Sequence, residues 1–81
     1  MQTDAVSVVT HIVAKALGLP DGRVKVEDTI DTHPEWDSLG HLNILTALER
    51  QFGGQVAAIQ GLAKATSVRA IIELLQSHRV I

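Results

Sequence analysis

Apolar residues recur at helical spacing near the start of the chain, with polar residues between them. Over residues 5–17 the spacing of three and four positions predicts an amphipathic helix. Its predicted buried face consists of Val8, Val9, Ile12, Val13, Ala16 and Leu17. Ala14 falls on the opposite, polar side. Thr3 or Asp4 is the expected N-cap, while Gly18 and Pro20 form an expected stop because glycine adopts the left-handed conformation and proline prevents continuation.

Two more periodic segments follow, one in the middle of the chain and one near its end. The first predicts a helix from Ser38 to about Phe52, whose broad apolar face is typical of a helix with several neighbours. That face comprises Leu39, Leu42, Ile44, Leu45, Ala47, Leu48 and Phe52. Ser67 is the expected N-cap of the last helix, and His78 and Arg79 should lie in its last turn. The narrow apolar stripe of this helix is Val68, Ile71, Ile72 and Leu75.

The segments between these helices are less regular. Residues 21–37 predict a long loop, anchored in the core by Val24, Val26, Ile30 and Trp36. The alternation of apolar and polar residues around Lys25 is typical of a strand, but no partner strand is evident, so we expect an extended loop. Residues 55–65 predict one short helix of a turn or two. The sum is a single all-α domain over residues 1–81, a small four-helix bundle of three main helices and one short helix.

Composition narrows the function classes. Hydrophobic residues make up 46% of the 81 residues, and Trp36 and Phe52 are the only aromatic ones, so the core must be aliphatic. The chain contains no cysteine, which excludes disulfides and a cysteine nucleophile. With its net charge of −2, the chain lacks the excess of basic residues that a nucleic-acid-binding surface needs. There is neither a long apolar run nor a signal-peptide pattern, so we expect a soluble, cytoplasmic monomer without a membrane span.

Ser38 lies where the polar loop ends and the second helix begins. A hydroxyl in the first turn of a helix is close to unpaired backbone N–H groups and to the positive end of the helix dipole. An attached phosphate would be stabilised there. We therefore expect Ser38 to carry a phosphate-linked prosthetic group, with Asp37 acting as helix cap or first-turn acid.

Two other kinds of chemistry are conceivable near this serine. His41 lies three residues after Ser38, on the same helix face, but a Ser–His nucleophile pair also needs an orienting acid, an oxyanion hole and a pocket. A histidine on the helix surface is the favoured interpretation. The alternating side chains of Asp31, His33, Glu35 and Asp37 could hold a metal ion, although a solvated acidic loop is the favoured interpretation.

The residues around Ser38 resemble those of the acyl carrier protein family. The resemblance is carried by the run Trp36-Asp37-Ser38-Leu39 and by residues at fixed spacing after it, namely Leu42, Ile44, Leu45, Ala47-Leu48-Glu49 and Phe52-Gly53. The same family pattern includes Gly18-Leu19 after the first helix and Thr66-Ser67-Val68 before the last. The resemblance covers nearly the whole chain and implies a small helical bundle.

The resemblance implies a non-catalytic carrier rather than an enzyme. Ser38 would be esterified by 4′-phosphopantetheine, transferred from coenzyme A by a magnesium-dependent phosphopantetheinyl transferase with Asp37 as supporting acid. The thiol of the arm would carry acyl intermediates as thioesters between acyl-loading and condensing enzymes. The implied partner-recognition residues are Leu39, His41, Glu49, Ile59 and Leu62. The implied acyl-pocket residues are Leu42, Ile44, Leu45, Leu48, Phe52 and Ile71, although core packing is the simpler role for each.

The chain departs from the family in charge. Its second helix contains one acidic residue, Glu49, and Asp37 directly precedes the helix, whereas fatty-acid carriers have several acids there. Residues 56–62 would put apolar side chains on the surface that partner enzymes contact. We therefore expect a specialised carrier for a polyketide, secondary-metabolite or modified-lipid pathway. The alternatives are a peptidyl or aminoacyl carrier, an unmodified helical interaction module, and a small hydrolase that uses Ser38 and His41.

Overall fold

The computed structural model describes residues 5–81, which form three α-helices and two short 3-10 helices. The elements are α1 (Ala5–Ala16), α2 (Ser38–Phe52), η1 (Gly54–Ala58), η2 (Gln60–Lys64) and α3 (Val68–Ser77). The all-α prediction and the three main helices are confirmed. In place of one short helix, residues 54–64 form two 3-10 helices separated at Ile59, so the structure is a three-helix bundle with two short turns.

Helix α1 ends as its sequence predicts. Gly18 has a φ of 73°, and the N–H of Leu19 donates to the Ala14 carbonyl at 2.8 Å. The expected N-caps at residues 3 and 4 lie outside the described residues. The placement of Ala14 on the polar side is wrong, because its side chain is only 1% exposed. Since α1 packs against both α2 and α3, its buried arc is wider than one apolar stripe.

The apolar face of α2 is only partly core. Ile44 and Leu48 are fully buried, whereas Leu39 and Leu42 are 67% and 57% exposed. Helix α2 contacts α1 and both 3-10 helices, which confirms the expectation of several neighbours, but these contacts leave the two leucines uncovered. They lie on the outer edge of the face, where no described element covers them, so α2 presents a leucine pair to solvent.

Helix α3 closes the bundle with its narrow apolar stripe. All four predicted stripe residues are buried. The Ser67 hydroxyl accepts a hydrogen bond from the Ala70 N–H at 3.1 Å, which confirms it as the N-cap. The helix ends at Ser77, so the expectation of His78 and Arg79 in its last turn is wrong. His78 is the C-cap, and Arg79 adopts a left-handed φ of 58° that stops the helix.

The long loop between α1 and α2 is fixed to α3 by its backbone as well as by side chains. Val24 and Trp36 are buried anchors, and Val26 is half-buried. Ile30 is wrong as a side-chain anchor, because its side chain is exposed and its N–H instead donates to the Thr66 carbonyl at 2.8 Å. Backbone pairing of this kind leaves no trace in the pattern of apolar residues.

A partly buried Asp28–His33 pair holds the middle of the same loop. The Asp28 carboxylate accepts hydrogen bonds from His33 Nε2 at 2.8 Å and from the Lys25 N–H at 3.0 Å. Burial acts to raise the pKa of Asp28, but these hydrogen bonds and the charges of His33 and Lys25 outweigh it, so the pKa is lowered. In its ionised form Asp28 therefore stabilises the folded loop.

Candidate functional site

Ser38 is the first residue of α2, and its side chain is exposed. The residue before it, Asp37, is the N-cap, and its carboxylate accepts a hydrogen bond from the Gly40 N–H at 2.8 Å. Among the described residues, the Ser38 hydroxyl and the N–H groups of Ser38 and Leu39 have no hydrogen-bond partner. The hydroxyl is thus accessible at the positive end of α2, next to backbone donors that suit a phosphate.

The loop before Ser38 passes directly over the first turn of α2, and Gly40 makes this possible. A β-carbon at position 40 would lie well inside contact distance of the Glu35 carbonyl oxygen. It would also lie 2.9 Å from Leu17 Cδ2 and 3.3 Å from Asp37 Oδ1. Because a backbone carbonyl cannot turn aside as a flexible side chain does, glycine is required here. The close approach fixes the direction in which the chain enters α2.

A hydrogen-bond relay from Trp36 through His41 to Leu62 ties the same region to the rest of the bundle. Trp36 Nε1 donates to His41 Nδ1 at 3.0 Å, and His41 Nε2 lies 2.8 Å from the Leu62 carbonyl. Indole is only a donor and a carbonyl is only an acceptor, so His41 must be neutral with its proton on Nε2. The two rings are also stacked, with centroids 6.1 Å apart. The loop, α2 and η2 are thus joined through one side chain.

The relay also bears on the possibility of hydrolase chemistry. Both nitrogens of His41 are already engaged, and neither is hydrogen-bonded to Ser38. A general base needs a free nitrogen within reach of the nucleophile. His41 therefore functions as a bridge between elements, and the geometry does not support a Ser38–His41 nucleophile pair.

The alternating side chains of residues 31–37 are not gathered into a metal site. His33 turns inward to the Asp28 carboxylate, while Asp37 caps α2. In residues 5–81 no group of three or more His, Cys, Asp or Glu side chains is arranged to hold a metal ion.

Within the same range, no helix is both long and apolar enough to cross a membrane.

A groove of about 240 Å³ runs beside α2, between this helix and the two 3-10 helices. It is lined by Leu42, Leu45, Thr46, Glu49, Val56, Ala57, Ile59, Leu62 and Ala63. Two of the six acyl-pocket residues, Leu42 and Leu45, therefore lie at the groove. Ile44, Leu48 and Ile71 are instead fully buried in the core, and Phe52 is half-buried against it.

The partner-recognition residues expected from the sequence are only partly at the surface. Leu39 and Glu49 are exposed, and His41 is half-buried by its relay. The expectation that Ile59 and Leu62 lie on the surface is wrong, because they are 4% and 1% exposed. From η1 through η2 every third residue is buried in the core, namely Val56, Ile59 and Leu62.

The structural roles of Gly40 and of the Trp36–His41 pair were not predicted from the sequence. The signal for Gly40 was present, since glycine in the first turn of a helix is unfavourable unless something requires it. The relay left no comparable signal, because it depends on a carbonyl 21 residues further along the chain.

Comparison with known families gives one match. The family model described as a phosphopantetheine attachment site matches residues 7–75, which include Ser38 and most of the described bundle. No curated protein and no solved structure was found to match. The site fits such a group chemically, since a phosphate ester needs an accessible hydroxyl and Ser38 offers one beside free backbone donors.

Proposed function

Because the chain belongs to the phosphopantetheine attachment site family and is therefore a carrier of covalently bound 4′-phosphopantetheine, we propose that Ser38 is the residue that bears this group. When bound, the group supplies a terminal thiol that holds a cargo as a thioester. The observation that carries the proposal is the exposed Ser38 hydroxyl at the start of α2. By contrast, Ser67 is a half-buried cap whose hydroxyl is already engaged, and Ser77 lies at the negative end of α3.

The residues around Ser38 fix the start of the helix on which its hydroxyl is presented for modification. Asp37 uses one carboxylate oxygen, Oδ1, to cap α2. The proposed role of its second oxygen is to help position a divalent cation while the transferase forms the phosphate ester. The open N–H groups of Ser38 and Leu39 face the negative charge of that ester. This chain therefore provides the acceptor and its orientation, and a separate enzyme performs the transfer.

The surface next to Ser38 has the character of a partner-binding site for acyl-processing enzymes. Leu39 and Leu42 are exposed on α2, and Glu49 adds one acidic group further along the helix. Exposed leucines contribute apolar area to an interface, while the one carboxylate within α2 gives little long-range steering. We infer that recognition of loading and condensing enzymes is mainly apolar. This is consistent with a carrier specialised for one pathway.

The cargo proposed for the arm is an acyl chain, and the groove beside α2 supports this choice. Its volume of about 240 Å³ is below the roughly 300–1,000 Å³ of common ligand pockets, so a long chain needs further space. The aliphatic core next to the groove can be repacked at moderate energy. We expect an octanoyl thioester to raise the melting temperature more than a polar aminoacyl thioester does. Equal shifts would favour an aminoacyl carrier.

Incubation with coenzyme A, magnesium and a broad-specificity phosphopantetheinyl transferase tests the central assignment. We expect the intact mass of the wild-type protein to rise by one phosphopantetheinyl unit and that of Ser38→Ala to stay unchanged. The matched control is Ser7→Ala, which removes another exposed serine and should leave the modification intact. A mass gain in Ser38→Ala, or none in the wild type, would refute the assignment.

A further inference from the structure

A second, larger cleft lies between α1 and α2 and shares one lining residue, Thr46, with the groove that adjoins the 3-10 helices. Its volume is about 490 Å³. The apolar lining is Ile12, Ala16 and Ala47, and the polar lining is His11, Lys15, Asn43, Thr46, Arg50 and Gln51. Nothing in the proposed carrier function uses this cleft.

Two cationic side chains line the cleft, although the chain as a whole is negative. Lys15 and Arg50 line it, and none of its lining residues carries a carboxylate, whereas the whole chain has a net charge of −2. Over residues 5–81 the ion pairs are His11–Asp21 and Asp28–His33, so neither Lys15 nor Arg50 has a carboxylate partner there. Two unpaired cations thus line one cleft.

Helix ends explain part of this arrangement but not all of it. Lys15 lies in the last turn of α1 and Arg50 in the last turn of α2, where cations are favoured by the helix dipole. That preference fixes where each residue occurs along its own helix. It does not require both cations to line the same cleft together with the hydrogen-bonding side chains of Asn43 and Gln51.

We propose that the α1–α2 cleft is a docking site for an acidic segment of a partner protein. On α2, Asn43, Thr46 and Arg50 follow one another at helical spacing and cover about 10 Å of the helix axis. About three residues of an extended chain span the same length, which is more than a single small anion covers. Carboxylates of such a segment pair with Lys15 and Arg50, while its apolar atoms cover the walls.

This proposal goes beyond the carrier function and does not depend on the modification of Ser38. The test therefore uses the Ser38→Ala chain, labelled with ¹⁵N and titrated at low salt with an end-capped hexaglutamate peptide. We expect chemical-shift changes at Lys15, Asn43, Thr46 and Arg50, and their disappearance at high ionic strength. A hexaglutamine peptide should cause none. The double substitution Lys15→Gln with Arg50→Gln should weaken peptide binding by about tenfold.

A matched double variant separates the cleft from a general effect of positive charge. Lys64→Gln with Arg69→Gln removes two exposed cations from η2 and α3, outside the cleft, and should leave peptide binding unchanged. An equal loss in both double variants, or shift changes confined to other surfaces, would overturn the proposal. So would inorganic phosphate that binds the cleft as tightly as the peptide does, because the site would then select small anions. Thermal unfolding confirms that each variant is folded.

Discussion

Replacing Gly40 with alanine tests how the loop holds the start of α2. The added β-carbon would overlap the Glu35 carbonyl oxygen and approach Leu17 Cδ2 to 2.9 Å, so the loop or the helix must shift. Overpacking of this kind costs about 1–3 kcal/mol, with the upper part of that range expected because a backbone atom is involved. Alanine recovers up to about 1 kcal/mol of helix propensity. The net loss should therefore be about 1–2 kcal/mol.

A loss of that size is readily measured. For a domain of this length, 1 kcal/mol corresponds to roughly 4–8 °C in melting temperature, so Gly40→Ala should melt about 4–16 °C below the wild type. Since the displaced loop carries Asp37 and leads into Ser38, the transferase should also modify the variant more slowly. Circular dichroism melts and an intact-mass time course measure the two effects.

Gly54→Ala is the matched control for this substitution. Gly54 begins η1, a β-carbon there would meet nothing within 4 Å, and its φ is not left-handed. We expect its melting temperature and modification rate to equal or slightly exceed those of the wild type. If Gly40→Ala were also as stable as the wild type, the close approach of the Glu35 carbonyl would not exist in solution.

The Asp37 cap, the His41 relay and the Asp28–His33 pair can each be tested by substitution. Asp37→Ala should lose about 1 kcal/mol of unfolding free energy, whereas Asp37→Asn should keep most of that stability because asparagine also caps helices. Slower transferase modification of Asp37→Asn would support a role for the Asp37 charge. An unchanged modification rate would exclude that role. His41→Leu should lose about 2 kcal/mol in urea unfolding, since it leaves the Trp36 N–H unpaired, and the loss should be smaller in a Trp36→Phe background. Because the pKa of Asp28 is lowered on folding, its contribution is complete above the unfolded pKa of about 3.9 and disappears as the pH falls through the folded value. Asp28→Asn should thus flatten the acid-side decline in stability, while Asp21→Asn, an exposed ion-pair partner, should not.

The three α-helices were predictable because each has both a periodic apolar pattern and a local stop or start signal. Gly18 ends α1 with its left-handed backbone, and Ser67 starts α3 with its hydroxyl. These signals act within a few residues, so the sequence contains them in full. The position of Ser38 at the first residue of α2 was predictable for the same reason, since it depends only on where the loop ends and the helix begins.

The errors concern residues whose environment is set by distant parts of the chain. Ala14 is buried because two helices flank α1, and Leu42 is exposed because no element within residues 5–81 covers that edge of α2. Ile30 is held by a backbone hydrogen bond to Thr66, which no side-chain pattern records. His41 was predicted to be at the surface, yet its two nitrogens connect Trp36 with η2.

The most direct test of the account is to locate the phosphopantetheinyl group on the modified protein. Proteolysis followed by tandem mass spectrometry of the transferase product assigns the added mass to one residue among the serines and threonines. We predict that it lies on Ser38 alone, the exposed hydroxyl at the first position of α2. A group found on Ser7, Ser67 or Ser77, or distributed over several residues, would contradict the assignment.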